Sequence, residues 1–189
     1  IAPVAADFTR AFTLPDGLSQ DAVAGFFPGS TIGNFEPPQA TRLLAHFGRV
    51  LGVGATLIIG VDLVKEKAVL DAAYDDAAGV TAAFNRNLLV RMRHELGAEL
   101  DLDAFAHRAF FNPEASRIEM HLVSLKAQTI RIADQGIAFA AGETIHTENS
   151  YKYTLDSFRA LAARAGWASI EAWTDRDGLF SVHALRRDA

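Results

Sequence analysis

No cysteine occurs among the 189 residues. A disulfide framework, a thiol nucleophile and a thiolate-held zinc are therefore excluded. Long apolar runs are also missing: none approaches the roughly 20 residues that a bilayer-crossing helix needs. The first residues lack the charged stretch and apolar core of a signal peptide, so the chain reads as cytoplasmic. Positive charge is scarce and scattered. With 18 Lys and Arg against 23 Asp and Glu, the net charge is −5 and no basic stripe exists to neutralise phosphates, so nucleic acid is not an expected partner. We find no internal repeat and no low-complexity tract. What is present is apolar residues, half of the total, enough for a substantial core in one domain or two small ones.

The apolar runs IAPVAADF (1 to 8) and AVAGFF (22 to 27) read as buried strands. Pro37 and Pro38 suit a first helical turn, and Ala40, Leu43, Leu44, Phe47, Val50 and Leu51 follow at helical spacing until Gly52. ATLIIGVDLV (55 to 64) is nearly continuous and β-branched, as in a strand covered on both faces. Strand, helix, strand makes a βαβ unit, so residues 1 to 64 read as part of a doubly wound sheet. From Lys65 the pattern changes. A helical region places Val80, Phe84, Leu88 and Leu96 on one side. Candidate strands then follow at 105–111, 117–125, 128–139 and 143–153, several alternating in period two, as antiparallel strands of a small separate sheet do. Thr154 caps a last helix ending at Gly166, and WASIEAWT and LFSVHALR flank the turn Asp175-Arg176-Asp177-Gly178.

Three stretches could carry chemistry. PGSTIGN (28 to 34) leaves a strand at the end where open α/β sheets bind ligands. Gly29 and Gly33 permit close approach and Asn34 offers a donor and an acceptor, although a glycine-rich turn has the same composition. Asp7 followed by Phe8 could accept from an exocyclic amine and cover a flat base, or form a turn. In GETIHTENSYKYT (142 to 154), an extended strand would put His146, Glu148 and Ser150 on one face, with Glu148 and Ser150 roughly 7 Å apart. An acid and a hydroxyl so placed can hold a ring N–H. His146 and Glu148 have ligand-like spacing, but no further histidine cluster completes a site, so no metal is expected. By pattern alone Tyr74 is half-buried, Met120 is core and His121 meets solvent.

Taken together, FFPGSTIGNFEP, GVDLVKEKAVLDAAYDDAAGVTAAFN, RIEMHLVS, AGETIHTENSYKYT and WTDRDGLFSVH resemble the S-adenosylmethionine-dependent histidine Nα-methyltransferases of ergothioneine biosynthesis. The resemblance covers essentially the whole chain. It implies a partial Rossmann-type class I methyltransferase sheet with an inserted α+β substrate-binding domain: 1–64 and 153–189 for the sheet, 65–152 for the insert. It implies S-adenosylmethionine as cosubstrate, no metal, and conversion of L-histidine through its methylated forms to hercynine. Carried onto matching positions, Asp7 and Phe8 would contact the adenine, and Gly29 would meet cofactor and substrate. Asn34 and Tyr74, the implied catalytic pair, would hold the carboxylate and amino end. Glu148 and Ser150 would grip the imidazole, with Met120 lining that pocket.

One departure concerns length. The family has an N-terminal part of the substrate domain, the first sheet strands and a glycine-rich cofactor loop, none of which precedes Asp7 in this sequence. The expectation is therefore a C-terminal portion with an unpaired sheet edge and an uncovered apolar face, inactive alone and completed by that segment. Two other readings remain: a family methyltransferase acting on another amino acid, and a non-catalytic module binding an amino acid or nucleoside.

Overall fold

The computed structural model describes residues 1–15, 17 and 23–188. In chain order the elements are β1 (Ala24–Phe27), a 3-10 turn (Thr31–Asn34), α1 (Pro37–Leu51), β2 (Thr56–Asp62), α2 (Lys67–Tyr74) and α3 (Val80–Leu96). A second 3-10 turn (Leu102–Ala104) follows, then β3 (Phe105–Asn112), β4 (Arg117–Ser124), β5 (Gln128–Ile132), β6 (Gln135–Phe139) and β7 (Thr144–Tyr151). The chain closes with α4 (Leu155–Arg164), β8 (Trp167–Thr174) and β9 (Phe180–Arg187). It divides into two units: Ile1–Val64 with Tyr151–Ala189, and Lys65–Ser150. Among the described residues no helix is long and apolar enough to cross a membrane.

The first unit is a four-stranded sheet in the order β1-β2-β9-β8. Strands β1 and β2 are parallel and joined through α1, whereas β9 runs antiparallel to both β2 and β8. Helix α1 starts where Pro37 and Pro38 cost no hydrogen bond, and Gln39 Oε1 accepts from the Glu36 N–H at 3.1 Å. Leu43, Leu44 and Phe47 of α1 share one core with Leu57, Ile59 and Val61 of β2, Phe158 and Leu161 of α4, and Leu185 of β9. Trp167 donates its buried Nε1–H to the Leu44 carbonyl at 2.8 Å, fixing α1 against β8. Thr154 and Ser157 cap α4 reciprocally, each side-chain oxygen accepting from the other's backbone N–H at 3.0 and 2.9 Å.

Several expectations need correction. Residues 1 to 7 form no strand and are exposed; among the described residues no strand pairs with them. The second run gives an edge strand with Phe26 75 % exposed rather than a buried one; Ala22 lies outside the described residues. Helices α1 and α4 share a single core, while Trp173 joins Phe26 in exposure, so among the described residues the sheet is covered on one face. Tyr151 and Lys152 belong to the first unit, because the buried Lys152 ammonium lies 2.7 Å from Asp62 and Tyr153 bridges Leu63.

The second unit has a three-stranded sheet in the order β3-β4-β7 and a β5-β6 hairpin. The single strand expected over 128–139 is this hairpin, turned at Ala133 with a φ of 50°. The helical region is two helices, and the expected core stripe of α3 faces outward, with Val80 68 % and Phe84 66 % exposed. Asn85 and Leu89 are the buried residues of α3 instead. Asn85 can be buried because its amide reaches His107 Nδ1 at 3.0 Å and the His121 carbonyl at 3.1 Å.

In the first unit, His183 is fully buried on β9 beneath the Phe158 ring. Ser181 Oγ donates to the Val61 carbonyl at 3.2 Å and accepts from His183 Nε2 at 3.0 Å. Burial, with help from the Arg159 charge, pushes the His183 pKa from 6.5 down to about 4. The unfolded chain therefore takes up this proton first on acidification. The stabilisation is whole above about pH 6.5, falls as the pH drops and is spent below about pH 4, a loss of up to about 3 kcal/mol. Denaturant unfolding as a function of pH should show this slope in the native protein and a shallower one in His183→Leu.

Candidate active site

The PGSTIGN turn is built from two successive left-handed residues, Gly29 with φ 75° and Ser30 with φ 56°. Ser30 tolerates that conformation because its Oγ accepts the Asp62 N–H at 2.8 Å, pinning the turn to the end of β2. The two flanking glycines serve different ends. A Cβ on Gly33 would lie 2.8 Å from the Tyr151 carbonyl oxygen, so close packing demands glycine there. At Gly29 a Cβ would meet nothing within 4 Å, and the backbone lies open on that side. Asn34, at the end of the 3-10 turn, is exposed and borders a cavity of about 660 Å³. Arg42, His46 and Arg49 line the same cavity from one stripe of α1. That lining, with its two arginines, was not anticipated, although the i, i+4, i+7 spacing in the sequence carries the signal.

Asp7 accepts from the Thr9 N–H at 2.9 Å and the Thr9 hydroxyl at 2.6 Å, and pairs with Arg10 at 3.2 Å. The Thr9 hydroxyl, the Thr9 amide and then Arg10 hold its carboxyl below the usual range, against a small burial effect. Phe8 meets Phe27 edge-on at 5.6 Å and borders a second cavity, about 230 Å³, with Phe12, Phe26 and Phe47. Asp7 thus forms the local turn, one of the two alternatives left open by the sequence, and Phe8 borders the aromatic-lined cavity.

In the second unit, Tyr74 ends α2. Its hydroxyl lies 2.9 Å from Ser150 Oγ, and its ring packs on the cluster of Leu70, Ala109, Phe111, Ile118 and Met120. Three anchors fix it. Asp71 accepts the Phe111 N–H at 2.7 Å; although burial raises the Asp71 pKa, hydrogen bonds from Lys67 and Phe111 bring it below the ordinary value. His107 Nε2–H donates to the Tyr74 carbonyl at 2.9 Å, its Nδ1 being taken by Asn85. Ser150, 7 % exposed, closes the set from β7. Sequence reasoning missed the positioning pair His107 and Asn85.

Glu148 is half-buried on β7, and Thr147 Oγ1 donates to the Met120 carbonyl at 2.9 Å, tying β7 to β4. The strand is not regular here. His146 Nε2 lies 2.8 Å from Asn149 Oδ1, a contact between residues that point to opposite faces of a flat strand. The alternation that would align His146, Glu148 and Ser150 is therefore broken: His146 stacks on His121 while Ser150 meets Tyr74. His121 is also not solvent-facing, its side chain being 13 % exposed and beside Glu119. The second unit thus gathers Tyr74, Met120 and Ser150, with Glu148 two residues before Ser150. Gly29 and Asn34 belong to the first unit's turn.

Residues 1–187 match the family described as histidine-specific, SAM-dependent methyltransferases. The chain belongs to that family. It is 46 % identical over 158 residues to a histidine N-alpha-methyltransferase of Mycolicibacterium smegmatis, and 43 % identical over 158 residues to one of Mycobacterium tuberculosis. Each match takes in 82 % of this chain and 49 % of the relative, so the chain spans about half the length of these curated relatives. Among solved structures, the CcbJ methyltransferase of Streptomyces caelestis shares the fold with a TM-score of 0.50 at 12 % identity, over 98 % of this chain and 67 % of that one. The family membership accords with the mixed α/β sheet and its βαβ unit.

The Tyr74–Ser150 contact is the directly measurable part of this geometry. A double-mutant cycle of Tyr74→Phe and Ser150→Ala should give a coupling of about 1 kcal/mol in unfolding free energy. Strictly additive losses would show that the two hydroxyls do not share a hydrogen bond.

Proposed function

We propose that this protein provides the histidine-binding and methyl-transfer residues of an S-adenosylmethionine-dependent L-histidine Nα-methyltransferase. Its product would be hercynine, the trimethylated amino acid of ergothioneine biosynthesis, and a cytoplasmic location belongs to the same reading. The observation that carries it is the anchored Tyr74–Ser150 hydroxyl pair beside Met120, in a chain whose family is histidine-specific.

Roles divide by unit. In the second, Glu148 and Ser150 are assigned to the imidazole, Met120 to the pocket wall and Tyr74 to the amino end. In the first, Asn34 is assigned to the amino acid's carboxylate. The Gly29 backbone, open where a Cβ would project, fits close approach of a cosubstrate, and Asp7 with Phe8 fits a flat base beside the aromatic-lined cavity. Bound S-adenosylmethionine supplies an electrophilic methyl group on a sulfonium.

The chain's task is then to position a neutral amine. As the nitrogen lone pair forms the N–C bond, the C–S bond breaks and its electron pair stays on sulfur, leaving a neutral thioether. Positioning alone contributes up to about 7–11 kcal/mol to such a displacement. Each of the three transfers consumes an uncharged nitrogen, so one proton leaves before each. Tyr74, held by Ser150 and by its backbone anchor to His107, orients the amine as that proton departs.

Selectivity follows from desolvation. A carboxylate at Glu148 that pairs with a ring N–H is left unsatisfied by a hydrocarbon ring, which rejects phenylalanine and favours histidine. Mass spectrometry of products from L-histidine and S-adenosylmethionine should show mono-, di- and trimethylhistidine in the full-length protein. Glu148→Gln should lower kcat/KM for histidine by about 10- to 100-fold, the equivalent of about 1–3 kcal/mol. Unchanged kcat/KM in Glu148→Gln, or a better substrate among non-imidazole amino acids, would overturn the reading.

A further inference from the structure

One face of the β3-β4-β7 sheet carries a cluster that histidine methylation leaves unused. Ile118, Met120 and Leu122 of β4 are buried in the second unit's apolar clusters, so the alternating Glu119 and His121 stand on the opposite face. His121 Nε2 lies 3.3 Å from Glu119 Oε2. The His121 ring stacks on His146 of β7, with centroids 4.4 Å apart and planes 19° apart. One ligand atom from each of Glu119, His121 and His146 lies within 4.8 Å of the other two. From this arrangement we propose that the three residues form a site for a divalent first-row cation of the zinc type, with a fourth position left to water.

Spacing supports the assignment first. Tetrahedral bonds of about 2.0–2.1 Å place neighbouring ligand atoms about 3.4 Å apart, close to the Glu119–His121 separation. His146 is exposed, so its ring can turn toward the pair without opening a core. The carboxylate is already aimed. Arg117 and Asn112 both donate to Glu119 Oε1, at 2.9 and 3.0 Å, which directs Oε2 toward His121, as outer partners orient a ligating carboxylate.

Two of the three donors are shifted from their ordinary proton affinities. Burial raises the Glu119 pKa, but hydrogen bonds from Arg117, Asn112 and His121 bring it below the ordinary value. Burial lowers that of His121, reinforced by His146 and Arg108 and opposed by Glu119. The charged groups facing the site are Arg108, opposite His121 in the β3–β4 register, and Arg117. Their charge opposes a cation, so the site is an exchangeable one.

The consequence is mechanical. Glu119 and His121 lie on β4 and His146 on β7, so a bound cation clamps the two strands one residue from Met120 and two from Glu148. Linear spacing conceals this site, because Glu119 comes from a strand distant in sequence from His146.

The test uses tag-free, chelator-treated full-length protein, titrated with Zn²⁺ by calorimetry and with Co²⁺ by absorption spectroscopy. One equivalent should bind, with a tetrahedral-type Co²⁺ spectrum and a raised unfolding temperature. His146→Ala and Glu119→Gln should each weaken binding at least tenfold, while His94→Ala, altered at an exposed position on α3, should not. His146 is exposed, so its variant isolates ligation from folding, which circular dichroism verifies. Absence of saturable binding, or binding of unchanged affinity in His146→Ala and Glu119→Gln, would overturn the proposal.

Discussion

The ion pair between Lys152 and Asp62 fastens the point where the chain leaves the first unit to the point where it returns. Lys152 Nζ lies 2.7 Å from Asp62 with only 1 % of its side chain exposed. A buried ammonium with no partner is strongly destabilising, and removing one member of such a pair typically costs about 3–5 kcal/mol. The pair therefore has to close for this corner to form. Around it, the Tyr153 N–H donates to the Asp62 carbonyl at 3.1 Å, and the Val64 N–H to the Tyr153 carbonyl at 2.9 Å. Ser30 Oγ accepts the Asp62 N–H, and the Tyr151 carbonyl sits where a Gly33 side chain would be. One corner thus fixes the end of β2, the return segment and the turn carrying Gly29 and Asn34.

The second unit applies the same economy to Tyr74. A residue at a helix end is poorly constrained by the helix itself, since its last turn lacks intrahelical partners. Here Phe111 and His107 of β3 and Ser150 of β7 hold the last turn of α2, the Phe111 N–H donating to Asp71. His107 can do so because Asn85 fixes its tautomer from α3. Three elements therefore decide where one hydroxyl lies.

Local grammar made much of this legible. Pro37 and Pro38 before a helical stripe, the β-branched run of β2 and the Asp175–Gly178 turn each follow from short-range rules, and each is present. The failures are long-range. Val80, Phe84 and Leu88 recur as a core stripe would, yet α3 is buried along Asn85 and Leu89, a seam set by hydrogen bonds to β3 and β4 that no window of sequence contains. The segment 1 to 7 has a strand's composition but pairs with no strand among the described residues. The period-two reading of 146 to 150 failed because His146 bonds Asn149. The candidate site residues were assigned through family resemblance, whereas the hydrogen bonds made by Asn85, His107 and Glu119 required the tertiary arrangement.

The central claim is that the second unit reads an imidazole. Calorimetric titration of the full-length protein with L-histidine and with L-phenylalanine, each in the presence of S-adenosylhomocysteine, tests it most directly. The account predicts saturable one-to-one binding of histidine, at least tenfold weaker in Ser150→Ala, and no measurable binding of phenylalanine. Equal affinity for the two amino acids, or no binding of histidine, would contradict it.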